Sequence, residues 1–446
     1  MIIVPKNIVT VDDKDKILKN HFVEIENGKI IRIAKNDEQL FKKYKGDVYR
    51  FEYLTLIPGF VQTHIHLCQT LFRGLADDLE LLDWLQLRIF PFEHAHNKNS
   101  LLAAVRLGLN ELLLSGTTTI LDMGTLRHQE IIFEELQNSG MRAIAGKCLI
   151  DENDLFPEFK SDTKTELNEI YQLAKTYHNT SNGKIKYGFA PRFVLSCSEE
   201  LLKESFGMKK DFPGSLYHTH SSENKSEIAE VKRRHNKENI EYFDSIGVID
   251  DHSVLAHCIH VNDKETDLLK KNNVRVSHCP SSNLKLGSGI ANIPKYLSKG
   301  ISVSLGADGA PCNNNLSVFN EMRLAALIQK PIHGPFSMSA KTVFKLATIE
   351  GAKALHLQNE IGSIEVGKKA DLTLLDLSTN THSISDDEES VYSDIVYSSS
   401  QDCVHSVMIE GEWKVLNKKS LLYDAGELNK KAKDELKKLL KRANNK

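Results

Sequence analysis

Histidines and carboxylates gather at the ends of apolar runs in this chain, with the types and spacing of a metal site. In "GFVQTHIH" an apolar run ends on His64 and His66. Residues i and i+2 of a strand point the same way, so both imidazoles are expected on one face. Burying an imidazole without a partner costs free energy, and two together need a shared reason. Further on, "LYHTHSSEN" carries His218, His220 and Glu223, "VLAHCIH" carries His257, "VRVSHCP" carries His278 and "VSLGADGA" carries Asp308. A single buried histidine is usually a satisfied core residue. Histidine or carboxylate at five run ends asks for a common ligand instead. Three imidazoles and a carboxylate leave room for water on a divalent cation, the open arrangement of a catalytic site. Such a cation lowers the pKa of a coordinated water from about 16 towards about 7. In "HTH" the spacing alone does not choose between His218 and His220.

These residues sit on runs that alternate with helical patterns. From Pro58 onward there are eight β-like runs: "LIPGFVQTHIH", "TTTILDM", "RAIAGKCLI", "IKYGFAPR", "LYHTHSSEN", "VLAHCIH", "VRVSHCPSSN" and "VSLGADGA". Between them lie segments such as "SLLAAVRLGLNELLLSG" and "HQEIIFEELQNSG", apolar at helical spacing and closed by glycine. Repeated strand–helix alternation predicts an α/β fold, a (β/α)8 TIM-like barrel over residues 56–364. Barrels of this kind keep their chemistry at the C-terminal ends of the strands, where the histidines and carboxylates stand. Residues 1–55 read as short alternating strands, with a hairpin signal in "ENGKI". Strands return over 365–425, which predicts a small composite β-sandwich domain built from both chain ends. Residues 426–446, with "LNKKAKDELKKLLKRANNK", predict a basic helix. A solvated surface helix is its plainer reading, ahead of a binding device.

Composition narrows the partners. The 446 residues are 41% hydrophobic, 26% charged and 7% aromatic, as in globular domains. A net charge of -3 offers no electrostatic grip on nucleic acid or an anionic membrane. No apolar run approaches the roughly 20 residues of a membrane span. The start, "MIIVPKNIVTVDDKDKILKN", carries charge where a signal peptide needs an apolar stretch. Seven cysteines without a CxxC pair argue against a disulfide framework and a zinc ribbon. A reducing, cytoplasmic setting is expected.

"PGFVQTHIH", "HTHSSEN", "LAHCIH" and "SLGADGA", in that order, resemble the amidohydrolase superfamily. More narrowly they resemble its aminohydrolase branch: deaminases of adenosine analogues, guanine deaminase and triazine hydrolases. The resemblance covers nearly the whole chain. It implies one divalent metal, zinc or iron, held by His64, His66, His220 and Asp308. The family's His-x-x-Glu pattern matches His220 and Glu223, which leaves His218 one layer deeper. Binuclear relatives carry a modified lysine at the end of the fourth strand. Here that end is "FAPR" and Lys186 comes too early, so a single metal is expected. The resemblance gives Asp308 the proton of the attacking water and has His257 orient that water. It gives Glu223 the protonation of a ring nitrogen, so that water adds to the neighbouring carbon and ammonia leaves. The plainer reading of Glu223 is a partner that orients His220. His260 is expected in a loop, and His278 with Ser281, Ser282 and Asn283 is expected to shape the loop after the seventh strand.

The substrate pocket carries two resemblances. Arg192-Phe193 in "PRF", with Gln69 in "HLCQ", resembles guanine deaminase, where the arginine and glutamine hydrogen-bond the purine. "TLFRGLADDLELLDWL", "PSSNLKLGSGIA" and "DGAPCNNNLSVFNEMRLAALIQK" resemble the deaminases of methylthioadenosine, S-adenosylhomocysteine and 5'-deoxyadenosine. In those, a glutamate matching Glu93 binds the ribose hydroxyls. Each side has a departure. Adenosine-type relatives often carry histidine where Arg192 stands, and "ADGAPCNNN" lacks the glycine-rich loop of guanine deaminases. Trp84 in "LLDWL" is a further candidate for the substrate pocket wall; the plainer readings are a salt bridge at the barrel mouth for Arg192 and core packing for Trp84. The expectation is a deaminase of a purine-like ring, with 5'-modified adenosines first. Guanine, a triazine or a pterin are the alternatives. A barrel that has lost catalysis and survives as an assembly protein is the remote one, and the complete ligand set argues against it. The expected partners are a small-molecule substrate and further copies of the chain in a homodimer or homotetramer, with "LRIFPF" a candidate contact.

Overall fold

The computed structural model describes residues 1–378, 382–385 and 387–444. The chain divides into two compact units. One comprises Met1–Val61, Asn110–Thr119 and Ser317–Tyr423; the other comprises Gln62–Leu109, Ile120–Leu316 and Asp424–Lys446.

In the first unit, strands from both chain ends join one continuous mixed sheet of nine strands. Ile2–Val9 pairs parallel with Val48–Pro58, which pairs antiparallel with Leu372–Leu375. That strand pairs in turn with Val404–Ile409. The hairpin His21–Glu26 and Lys29–Lys35 turns on Asn27-Gly28, both with positive φ. Such two-residue turns match the strand twist and favour Asn-Gly. Ile3, Ile8, Val23, Leu56, Leu372 and Met408 form the core of this sheet, each buried.

Most of the barrel falls in the second unit, with Phe60, Val61 and Thr117–Thr119 in the first. The barrel strands are Phe60–His66, Thr117–Asp122, Arg142–Ala145, Ile185–Pro191, Leu216–Ser221, Ser253–His257, Arg275–His278 and Ser302–Leu305. They hydrogen-bond in chain order. After Gly306 and Ala307, the eighth strand continues as Asp308–Gly309, which pairs parallel with the first, Asp308 opposite Ile65. The ring thereby closes as the alternation predicted. Every residue of Phe60–His66 is buried, as expected of a strand covered on both faces. Gly306 is required by close approach: a Cβ there would come within 2.7 Å of the His64 carbonyl oxygen. The chain ends in a helix, Ala425–Asn444, with Leu428, Ala432, Glu435 and Leu439 buried; Asn445 and Lys446 of the expected tail lie outside the described residues. No helix among the described residues is long and apolar enough to cross a membrane. All seven cysteines are free and buried.

Candidate metal centre and pocket

His64 and His66 end the first barrel strand, His220 is next to last on the fifth, and Asp308 opens the strand that closes the ring. One ligand atom from each lies within 4.8 Å of the others. His64 Nε2 is 3.2 Å and His66 Nε2 3.4 Å from Asp308 Oδ1, while His66 Nε2 is 3.2 Å from His220 Nε2. His220 Nδ1 lies 2.7 Å from the carbonyl oxygen of Arg192. A carbonyl only accepts, so Nδ1 carries the proton and Nε2 presents its lone pair to the centre. His64 Nε2 is buried and has no hydrogen-bond partner. Burial lowers the pKa of His64, and lowers those of His66 and His220 further. Three buried imidazoles and a buried carboxylate, one Nε2 without a hydrogen-bond partner, fit a divalent cation. This is a His/His/His/Asp metal site.

His218 lies beneath that set. Its Nε2 is 2.8 Å from His64 Nδ1, on the side away from the converging nitrogens. The alternation within "HTH" thus separates a ligand position from a supporting one. His278 is also apart: both its ring nitrogens are buried without hydrogen-bond partners, and burial lowers its pKa to about 3. His260 lies in a loop with Nε2 2.7 Å from Ser288 O. Lys186 is the second residue of the fourth strand, far from its C-terminal end.

Two further titratable groups meet the metal site. His257 Nε2 is 3.4 Å from Glu223 Oε2 and 3.9 Å from Asp308 Oδ2. Its Nδ1 donates to Asn283 Oδ1 at 2.8 Å, which turns Nε2 towards the carboxyl groups. Burial, then the charges of Asp308 and Glu227, raise the Glu223 pKa well above the carboxylate range. Both His257 and Asp308 have left-handed backbone, with φ of 72° and 61°. Non-glycine residues adopt that region at a cost of about 1–3 kcal/mol, mostly where function demands it.

A pocket adjoins these groups, lined in part by Gln69, Trp84, Arg192 and Phe193. Glu93 stands behind that wall: Arg192 Nη1 donates to its Oε2 and Gln69 Nε2 to its Oε1, each at 2.8 Å. The Arg192 guanidinium also lies 5.0 Å from the centre of the Phe90 ring. Gln69 Oε1 and Trp84 Nε1 remain buried without hydrogen-bond partners. In "LRIFPF", Ile89, Phe90 and Phe92 are buried within the chain, leaving Leu87 exposed nearby.

Sequence reasoning missed Glu227, Leu81, Leu85 and Leu286, and it placed Asn283 in a loop without its bond to His257. Glu227 lines the pocket, and its Oε2 accepts from Glu223 N at 2.8 Å. Its signal was present in "NKSE": Asn224 and Glu227 form a capping box at the start of Lys225–His235.

Residues 55–414 match the family model described as "Amidohydrolase family". The chain is 37% identical to a 5'-deoxyadenosine deaminase of Methanobrevibacter smithii over 422 residues, 93% of each chain. It is 35% identical to a 5-methylthioadenosine/S-adenosylhomocysteine deaminase of Bacillus cereus over 431 residues, 94% of this chain and 96% of that one. Among solved structures, a zinc-bound adenosine deaminase of Xanthomonas campestris superimposes with a TM-score of 0.91 at 27% identity, covering 99% of this chain and 98% of that one.

Proposed function

The chain belongs to the amidohydrolase family, and from that premise we propose that it is a deaminase of 5'-modified adenosines using one zinc ion. The observation that carries the reaction class is the buried Glu223, 3.4 Å from His257 and beside the four-ligand centre, with its pKa raised by that burial. When bound at His64, His66, His220 and Asp308, the metal supplies Lewis-acid activation of the attacking water. Asp308, ionised and 3.9 Å from His257 through Oδ2, accepts a proton from that water. Glu223 delivers its proton to the ring nitrogen next to the amino-bearing carbon. That carbon then accepts the oxygen nucleophile. His257, its Nδ1 proton fixed on Asn283, holds Nε2 where charge develops. The amino group gains the proton that Asp308 took from the water and departs as ammonia, while the new hydroxyl gives its proton back to Glu223 as the ring carbonyl forms. Each acid–base role contributes on the order of 10²–10⁴ in rate.

Relatives named for 5'-deoxyadenosine and methylthioadenosine, at 35–37% identity over nearly the full chain, support the substrate class. Guanine is the second reading, favoured by Arg192, Phe193 and Gln69 on the pocket wall. The pairing of Arg192 with Glu93 weighs against it, because that guanidinium is already occupied. A panel of aminated purines, pterins and triazines with ammonia release as readout tests the proposal. Fastest turnover on a 5'-modified adenosine supports it.

A further inference from the structure

The C-terminal helix Ala425–Asn444 has no part in the chemistry above, yet its end reaches the backbone that carries the pocket wall. The helix packs against the short helix Phe90–His94. Near its last turn, Arg442 donates through Nε to the carbonyl oxygen of Ala95 at 2.8 Å and through Nη2 to Ser100 Oγ at 3.2 Å. Ser100 Oγ lies 3.0 Å from His96 Nδ1, and His96 Nε2 lies 2.9 Å from the carbonyl oxygen of Cys68. Since a carbonyl can only accept, His96 is protonated on Nε2, and its Nδ1 shares the one Ser100 hydroxyl proton with the carbonyl oxygen and Oδ1 of Asn97, each 3.1 Å from Ser100 Oγ. One guanidinium thus anchors a polar chain that ends on the residue before Gln69. The same guanidinium holds the carbonyl two residues after Glu93. Gln69 and Glu93 are the two side chains that meet behind Arg192, at 2.8 Å.

We propose that Arg442 is a positioning residue for the substrate pocket, fixing the backbones of Gln69 and Glu93 relative to each other from the far end of the chain. Its effect is on how the wall is held and not on the metal or the acid, so it is expected in substrate binding. This rests on the pocket being the substrate site.

The test compares full-length R442A with wild type by metal analysis, by steady-state kinetics and by amide hydrogen exchange. The expected result is wild-type metal content, kcat within about twofold, and a KM raised roughly fivefold or more, the size of one lost ordinary hydrogen bond. Amide exchange over Leu67–Phe72, a segment linked to Arg442 through Ser100 and His96, is expected to speed up. Unchanged KM, unchanged exchange there, or metal and kcat lost together overturns the proposal. Should R442A not fold, S100A cuts the same chain inside the protein and is judged by the same criteria. Wild type that deaminates none of the panel defeats the functional proposal alone, while the exchange result still decides the role of Arg442.

Discussion

Arg192 and Glu93 are 99 residues apart in sequence and pair at 2.8 Å, with side chains 4% and 3% exposed. Removing one member of a buried ion pair leaves the other charge stranded, typically at about 3–5 kcal/mol. R192A is therefore expected to lower the unfolding midpoint markedly, and the double variant R192A/E93A to recover part of the loss. Midpoints measured on metal-loaded protein check this. Additive losses would mean the pair is not coupled.

Metal dependence is expected to follow the ligand set. His66→Ala removes a nitrogen that lies 3.4 Å from Asp308 and 3.2 Å from His220. Metal content by elemental analysis should fall with turnover. Two equivalents in wild type, or full activity after exhaustive chelation, contradicts the single-metal centre.

Glu223 is expected to separate chemistry from metal binding. It is buried next to His257 but lies outside the four-ligand set. Glu223→Gln should keep about one equivalent of metal and lose on the order of 10²-fold or more in turnover, since an amide cannot deliver the proton. Metal lost in step with activity would make Glu223 structural.

The same residue sets a pH dependence. Burial first, then Asp308 and Glu227, raise its pKa well above the ordinary 4.5. A proton donor works while protonated, so kcat/KM should hold through the usual carboxylate range and decline only as pH rises through the raised value. A pH–rate profile checks this. A basic limb centred near 4.5 would show that Glu223 titrates like an exposed glutamate.

The centre was legible in the sequence because strand geometry converts spacing into direction. His64 and His66, two apart at a strand end, had to face one way. The barrel was legible for the same reason, since eight runs alternate with helical patterns. "HTH" was ambiguous because His218 and His220 also share a face. What separates them is depth: His218 reaches His64 Nδ1, whereas His220 is turned by the carbonyl of Arg192. The pocket wall was less legible, because side-chain pairing across 99 residues leaves no local pattern. Glu93 was expected at a ribose and Arg192 at a base or a salt bridge, and the two are joined to each other. Glu227 left a local trace, a capping box, whose reach to Glu223 is visible only in three dimensions.

The most direct measurement is the ratio of kcat/KM for 5'-deoxyadenosine or methylthioadenosine to that for guanine, on zinc-loaded protein, with ammonia and the ring-carbonyl product both quantified. Deamination of a 5'-modified adenosine, many times faster than of guanine, is the predicted result. Guanine deaminated far faster than any adenosine contradicts the substrate class, and a chain that releases ammonia from no aminated heterocycle contradicts the deaminase itself.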